Sequence, residues 1–280
     1  MTFLKPELTR LFVGLITLTM LWALPSARAL AAQIADDVAF PEKFMFRLAY
    51  YNIDVADTKV TVFNNEGLGV GYSFARDLGG EDSATIPRID MYYRINERHR
   101  IDFSTFSLDR DGTKILELEV ELEDQTFKIG EKLKSDISYD LYRIGYSYSF
   151  FHSDKVELAI SAGLNITKYD LDFENADGTK SSKSDATAPL PMWGLRMGYA
   201  ITPNWSLHYL TETFYIEIED TFKGTLFNNE VNFQYRFLDN FMVGAGITHV
   251  STDLEVSDSD WKGGINDSHT GYLLFAGFHF

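Results

Sequence analysis

The last eleven residues, Thr270 to Phe280, read TGYLLFAGFHF and alternate without a break. Tyr272, Leu274, Ala276, Phe278 and Phe280 share one parity, and Gly271, Leu273, Phe275, Gly277 and His279 share the other. Successive side chains of a strand point to opposite faces. One face of this strand is therefore wholly aromatic and aliphatic up to the terminal residue. Such a face is costly in water and favourable in lipid. A chain ending this way must build its last strand into a sheet whose outside is apolar.

The front of the chain agrees. Lys5 and Arg10 precede an apolar run from Leu11 to Leu24, Pro25 breaks it, and Ala27, Ala29, Ala31 and Ala32 follow. A positive start, a short apolar stretch and an Ala-x-Ala site define a secretory signal peptide. The run falls short of the roughly 20 residues a spanning helix needs. We assign 1–31 to this signal, cleaved after Ala29 or Ala31, and 32–43 to a short periplasmic tail. The chain is 45% hydrophobic and 15% aromatic, yet no second segment approaches a spanning helix. Its apolar side chains must be placed by strands. Cysteine is absent, which excludes disulfides, thiolate metal sites, a cysteine nucleophile and lipidation of a mature N-terminal cysteine. The net charge of -16 argues against nucleic acid as a partner.

From Phe44 to Phe280 the chain reads as strand after strand. On Val156 to Thr167, the residues Val156, Leu158, Ile160, Ala162, Leu164 and Ile166 oppose Glu157, Ala159, Ser161, Gly163, Asn165 and Thr167. Trp193 to Ile201, Val231 to Phe237 and Ile89 to Ile95 follow the same rule. The second face carries charges plus Gly, Ala and Ser, which suits a narrow wet lumen. Tight turns are expected at Glu97-Arg98-His99, His152-Ser153-Asp154, Thr202-Pro203-Asn204 and Leu238-Asp239-Asn240, all on one side. Phe150, Phe151, Trp205, Phe237 and Phe241 flank them, where an interfacial aromatic girdle belongs. Long polar stretches at Asp109–Asp136, Glu174–Ala188, Glu219–Gly224 and Ser257–Ser268 lie on the other side. Ten strands are clear, and Lys59–Phe63 with Leu68–Phe74 would add a pair, giving twelve. Ten is the alternative, with Val55–Pro87 as one outer loop. Phe106 and Leu108 fall on the polar face and Leu141 reads as outward beside Tyr142, so a bulge or a strand rising past the bilayer is expected there.

These features resemble the bacterial outer-membrane β-barrel family, in which a signal peptide precedes an antiparallel up-and-down barrel closed by a strand with a terminal Phe. The resemblance covers 44–280. It implies an all-β transmembrane barrel in the outer membrane of a Gram-negative bacterium. It implies Tyr272, Leu274, Phe278 and Phe280 as the insertion signal read by the barrel-assembly machinery. Outer-membrane lipid and lipopolysaccharide are the expected surroundings, with divalent cations bridging the acidic outer loops.

Assigning the second face inward puts Arg88, Asp90, Arg94, Asp102, Arg143, Glu157, Arg196, His208, Glu212 and Arg236 in the lumen, together with Glu230. Arg94 and Asp102 lie opposite each other if the turn is Glu97 to His99. Charges inside a membrane protein pair, line water or mark a pathway. They form either a filling that stiffens the barrel or a charged constriction for a small solute.

One constellation carries chemistry. His249 and Ser251 share the lipid-facing parity of Phe241, Val243, Ala245 and Ile247, near the outer rim, with Asp253 beyond. A His beside a Ser, oriented by a carboxylate, is the arrangement for acyl transfer. The pair resembles the His-x-Ser placement of outer-membrane lipid A deacylases and phospholipases. Those families carry Asn after the Ser, where this chain has Thr252. His269 and His279 lack metal-ligand spacing, and DRDG at Asp109 to Gly112 lacks the full calcium-loop pattern. No metal or cofactor is expected. The leading expectation is a non-enzymatic barrel, structural or a narrow porin-like pore. The alternatives are a lipid hydrolase or deacylase using Ser251 and His249, and a surface adhesin working through the outer loops.

Overall fold

The computed structural model describes residues 43–63, 69–81, 83–117, 119–122, 125–218, 222–238, 240–257 and 262–280. The signal peptide assigned to 1–31 and all of the 32–43 tail except Lys43 lie outside them. The described elements are β1 (Phe44–Phe63), β2 (Gly69–Ser73), α1 (Phe74–Leu78), β3 (Ala84–Arg94), β4 (His99–Ile115), β5 (Val120–Leu122), β6 (Gln125–Phe127) and β7 (Lys132–His152). They continue with β8 (Val156–Asn175), β9 (Ser181–Ala200), β10 (Trp205–Ile218), β11 (Phe222–Leu238), β12 (Phe241–Ser257) and β13 (Lys262–His279).

Each long strand pairs antiparallel with the next, and β13 returns to pair with β1, so the sheet closes. Ten strands form the wall, and β2, β5 and β6 lie outside it. The twelve-strand count therefore gives way to its ten-strand alternative. Lys59–Phe63 is the far end of β1, and β2 zips onto that end without spanning anything. The closing hydrogen bonds run both ways between the first and last residues of the barrel, from Phe44 N to Phe280 O at 2.8 Å and from Phe280 N to Phe44 O at 3.0 Å.

The expected faces hold. On β13 Leu273, Phe275 and His279 are buried, whereas Tyr272, Leu274 and Phe280 are 50%, 62% and 64% exposed. On β8 the outward apolar run extends from Val156 to Ile166 before Lys168 ends it, close to the roughly 9–11 residues a tilted strand needs to cross hydrocarbon. An exterior this apolar is a membrane surface. At the end of the barrel where both termini meet, Phe44 stacks near Phe278 and Phe280, and Trp205 against Phe233 and Tyr235, as an interfacial girdle.

The short connections all lie at this end, with boundaries shifted by a residue or two. Ile95–Arg98 form the first turn, where the Asn96 side chain accepts from Arg98 N and His99 N. Arg94 consequently faces Arg100 and Asp102 faces Tyr92, so the expected Arg94–Asp102 pairing does not form. At the other end the long polar stretches are mostly strand. β4, β7, β8 and β9 continue upward, and the DRDG segment is β4 strand bridged to Gly80 rather than a turn. Part of the Glu219–Gly224 and Ser257–Ser268 stretches (219–221 and 258–261) lies outside the described residues.

The wall splits in two places on its outer half, and proline explains both. The β3–β4 ladder stops at Arg88↔Phe106, next to Pro87, and the β9–β10 ladder stops at Trp193↔Thr213, just below Pro191 and Pro189. Along β3 the odd-numbered amides point at β4, as Ile95 N does toward His99 O, while Arg94 N points the other way to Lys43 O. Along β9 the odd-numbered amides point at β10, as Ile201 N does toward Trp205 O, while Ala200 N points to Lys155 O. Pro87, Pro189 and Pro191 are odd-numbered, so each missing N–H falls on the side where the ladder ends.

Above the lipid-facing belt, α1 and the β5–β6 hairpin fold over the extended strands. Phe74, Leu78, Val120, Phe127 and Leu133 are fully buried in this cap. Ser73 caps α1 through its hydroxyl, and Asp77 accepts from Arg76 and from Ser73 N. The Arg76 hydrogen bond holds the Asp77 carboxyl below its ordinary range.

Candidate functional site

The lumen is layered. Nearest the periplasmic end lies an ion network, and above it a belt of apolar side chains. Arg47 and Arg88 alternate with Asp90 and Glu230 in a closed ring, with contacts of 2.7 and 3.2 Å from Arg47 and 2.9 and 2.8 Å from Arg88. Ser104 adds a 2.7 Å hydrogen bond to Asp90. Arg94 grips both oxygens of Glu157 at 2.8 and 3.0 Å. Arg100 holds Asp102 at 3.0 Å, which also accepts from Ser147, and Arg143 holds Glu212. Removing these charges from water is costly, and the direct ion pairs offset it in part, since the Nε atoms of Arg94, Arg100 and Arg143 stay without an acceptor.

Arg196 differs in having no carboxylate within hydrogen-bonding distance. Its Nη2 stands 3.7 Å from Asp102 and 3.9 Å from Glu212, and its Nε and Nη2 are buried without a hydrogen-bond acceptor. A cavity of about 120 Å³ adjoins it, lined on the charged side by Arg47, Arg88, Arg100, Arg143, Arg196 and Arg236 against Asp90, Asp102, Glu157 and Glu230. His208 also lines it and shares a 3.0 Å hydrogen bond with Ser206.

An apolar layer lies above this space. Rings from four strands follow one another across the lumen: Tyr51 on β1, Phe106 on β4, Tyr139 on β7 and Tyr169 on β8, with centroid separations of 5.5, 5.6 and 4.9 Å. Leu190, Met192, Phe214, Leu226, Leu254 and Ile265 complete it from the remaining wall. The two layers touch where the Arg47 guanidinium lies 4.5 Å over the Phe275 ring. The phase break expected at Phe106, Leu108 and Leu141 is therefore no bulge. Phe106 and Leu108 are buried inward and Leu141 packs beside them, because the lumen itself is apolar at that height.

Every one of the lumen residues read from the sequence, Arg88 to Arg236, points inward here; Arg94 and Glu212 stand in the network without bordering the cavity. Sequence reading missed Arg47 and Arg100. Arg47 shares the inward parity of Ala49 and Tyr51, and Arg100 shares that of Asp102, once the turn is shortened to end at Arg98.

His249 finds its hydrogen-bond partner on the neighbouring strand and not in Ser251. The His249 ring lies on the outer face and shares a 3.1 Å hydrogen bond with Thr270, and Ser251 stands opposite Ser268 in the ladder. A different histidine has the carboxylate. His269 Nδ1 is 2.9 Å from Asp267, which accepts from Thr58 at 2.6 Å, and Arg110 donates to Thr58 at 2.7 Å. This inward cluster lies beyond the apolar layer toward the outer end. Its signal was Asp267-x-His269 on one strand face. Among the described residues no His, Asp and Glu gather as a metal set.

A closed antiparallel wall, an apolar belt, an aromatic girdle beside short turns and a polar lumen define a transmembrane barrel of the bacterial outer-membrane class. A family model described as a protein of unknown function, DUF481, matches residues 131–253, from the start of the β7 hairpin arm into β12. No curated protein matches the chain. Among solved structures, the outer membrane protease OmpT from Escherichia coli is similar over 88% of this chain and 99% of that chain, at 10% identity and a TM-score of 0.57. That likeness establishes the shared barrel fold. The P. putida toluene transporter TodX aligns over 86% of this chain and 91% of that chain, at 10% identity and a TM-score of 0.36. OprG of Pseudomonas aeruginosa aligns over 85% of this chain and 96% of that chain, at 13% identity and a TM-score of 0.35.

Proposed function

We propose that the protein is a non-conducting structural barrel in the outer membrane of a Gram-negative bacterium, with its working surface at the outer end. The observation that carries this reading is the continuous aromatic and aliphatic layer above the ion network. A wet path would have to cross it, and small barrels are filled by side chains where wide channels need about 16 strands. The salt-bridge ring then serves to tie β1 and β3 across the lumen to β11. Swelling of proteoliposomes in small sugars and amino acids tests this: no swelling beyond lipid alone is expected, and solute-selective swelling would overturn it.

A second reading, binding at the cell surface, is favoured by the cap. It has an apolar core of its own and stands on strands that outrun the membrane. Exposed Glu117, Glu119, Asp136, Glu174, Asp253 and Glu255 surround the outer end, which suits divalent cations bridging to lipopolysaccharide phosphates. The lipid-hydrolase reading keeps Ser251→Ala as its test, and on the present geometry that substitution leaves lipid turnover at the background of the barrel itself.

A further inference from the structure

We propose that the cavity beside Arg196 is a binding site for a small oxyanion, of phosphate or sulfate type, entered from the periplasm. Six arginines and four carboxylates line it, in a chain whose net charge is -16. The surplus is local and has a named bearer. Asp90 and Glu230 are shared by Arg47 and Arg88, Asp102 is taken by Arg100 and Ser147, and Arg143 takes Oε1 of Glu212, just beyond the lining, whose Oε2 is buried without a donor. Arg196 is left with two carboxylates beyond hydrogen-bonding distance and with buried, unanswered donors at Nε and Nη2. The Nε atoms of Arg100 and Arg143 are also buried without an acceptor. Buried N–H donors without an acceptor are expensive even on a side chain that is 16% exposed, and a planar fork of N–H donors matches the edge of a tetrahedral oxyanion.

Size and access agree. At roughly 10–15 Å³ of such space per water, the cavity holds on the order of eight waters, enough for one phosphate with part of its hydration shell. The side chains at its lower edge, Tyr92, Gln234 and Arg236, are half-buried at the periplasmic rim, while the aromatic layer blocks the outer side. The closed lumen matters to this proposal only for that one-sided access, so a conducting barrel would change the route and leave the site standing.

The test uses the full barrel refolded in uncharged detergent, so that no lipid phosphate is present. Sodium phosphate and sodium sulfate are titrated at constant ionic strength against chloride, by calorimetry and by phosphorus NMR line width. Saturable binding of both oxyanions is expected, at least tenfold weaker in Arg196→Gln and unchanged in Arg98→Gln at the exposed turn. In chloride, Arg196→Gln should unfold at the same or a higher temperature than the unsubstituted protein, since it removes an unanswered buried charge. A purely structural Arg196 would instead lower it. No saturable heat or line broadening in the unsubstituted protein would overturn the proposal, as would equal binding by Arg196→Gln.

Discussion

Gly271 faces the lumen against the Tyr51 ring, and a Cβ built there would stand 2.0 Å from that ring. Tyr51 is 1% exposed and cannot move aside without disturbing the aromatic layer. Gly271→Ala should therefore lower the temperature at which the folded band shifts on a gel, by an amount equivalent to about 1–3 kcal/mol. The ion pairs divide by depth in the same way. Glu157→Ala leaves the Arg94 guanidinium buried without its bidentate partner, and breaking such a pair costs about 3–5 kcal/mol. Glu131→Ala cuts a solvated pair with Lys180 on the cap and should leave the transition where it is. A Glu157→Ala barrel as stable as the unsubstituted one would mean that water, and not Arg94, answers that carboxylate.

At the scale of elements, the two proline seams make a prediction that distinguishes neighbours along one strand. Above Trp193, the odd-numbered amides of β9 face the seam and the even-numbered amides face β8. In hydrogen exchange, Thr187 and Asp185 should exchange quickly while Ala188 and Leu190 stay protected; uniform protection along β9 would contradict the split. The strands, their faces and the girdle were legible because alternation is a period-two signal that survives in any sheet. The seams were not read from the sequence: Pro87, Pro189 and Pro191 mark them only once the amide direction is known, which needs the turn registers at Arg98 and Asn204. The strand count was harder to read. Lys59–Phe63 and β2 alternate like a spanning pair, and nothing local says that β1 simply continues past the bilayer before β2 folds back on it.

The whole molecule is a barrel with a charged lower lumen, an apolar upper lumen and a folded cap. The rule of apolar outside and polar inside located the lower lumen correctly and failed above it, at Phe106, Leu108 and Leu141. There the pattern of one strand cannot tell a lumen packed with rings from a wall facing lipid. Arg196 was readable as an inward charge, while its lack of an acceptor depends on groups of β4, β7 and β10. The central claim is that the apolar layer seals the barrel. Single-channel recording of refolded protein in a planar bilayer tests it most directly, with Arg196→Ala alongside. A correctly folded, heat-modifiable barrel that passes no current in either form is the predicted result. Stable ion-selective steps whose size or selectivity changes in Arg196→Ala would contradict it and place an open constriction at that arginine.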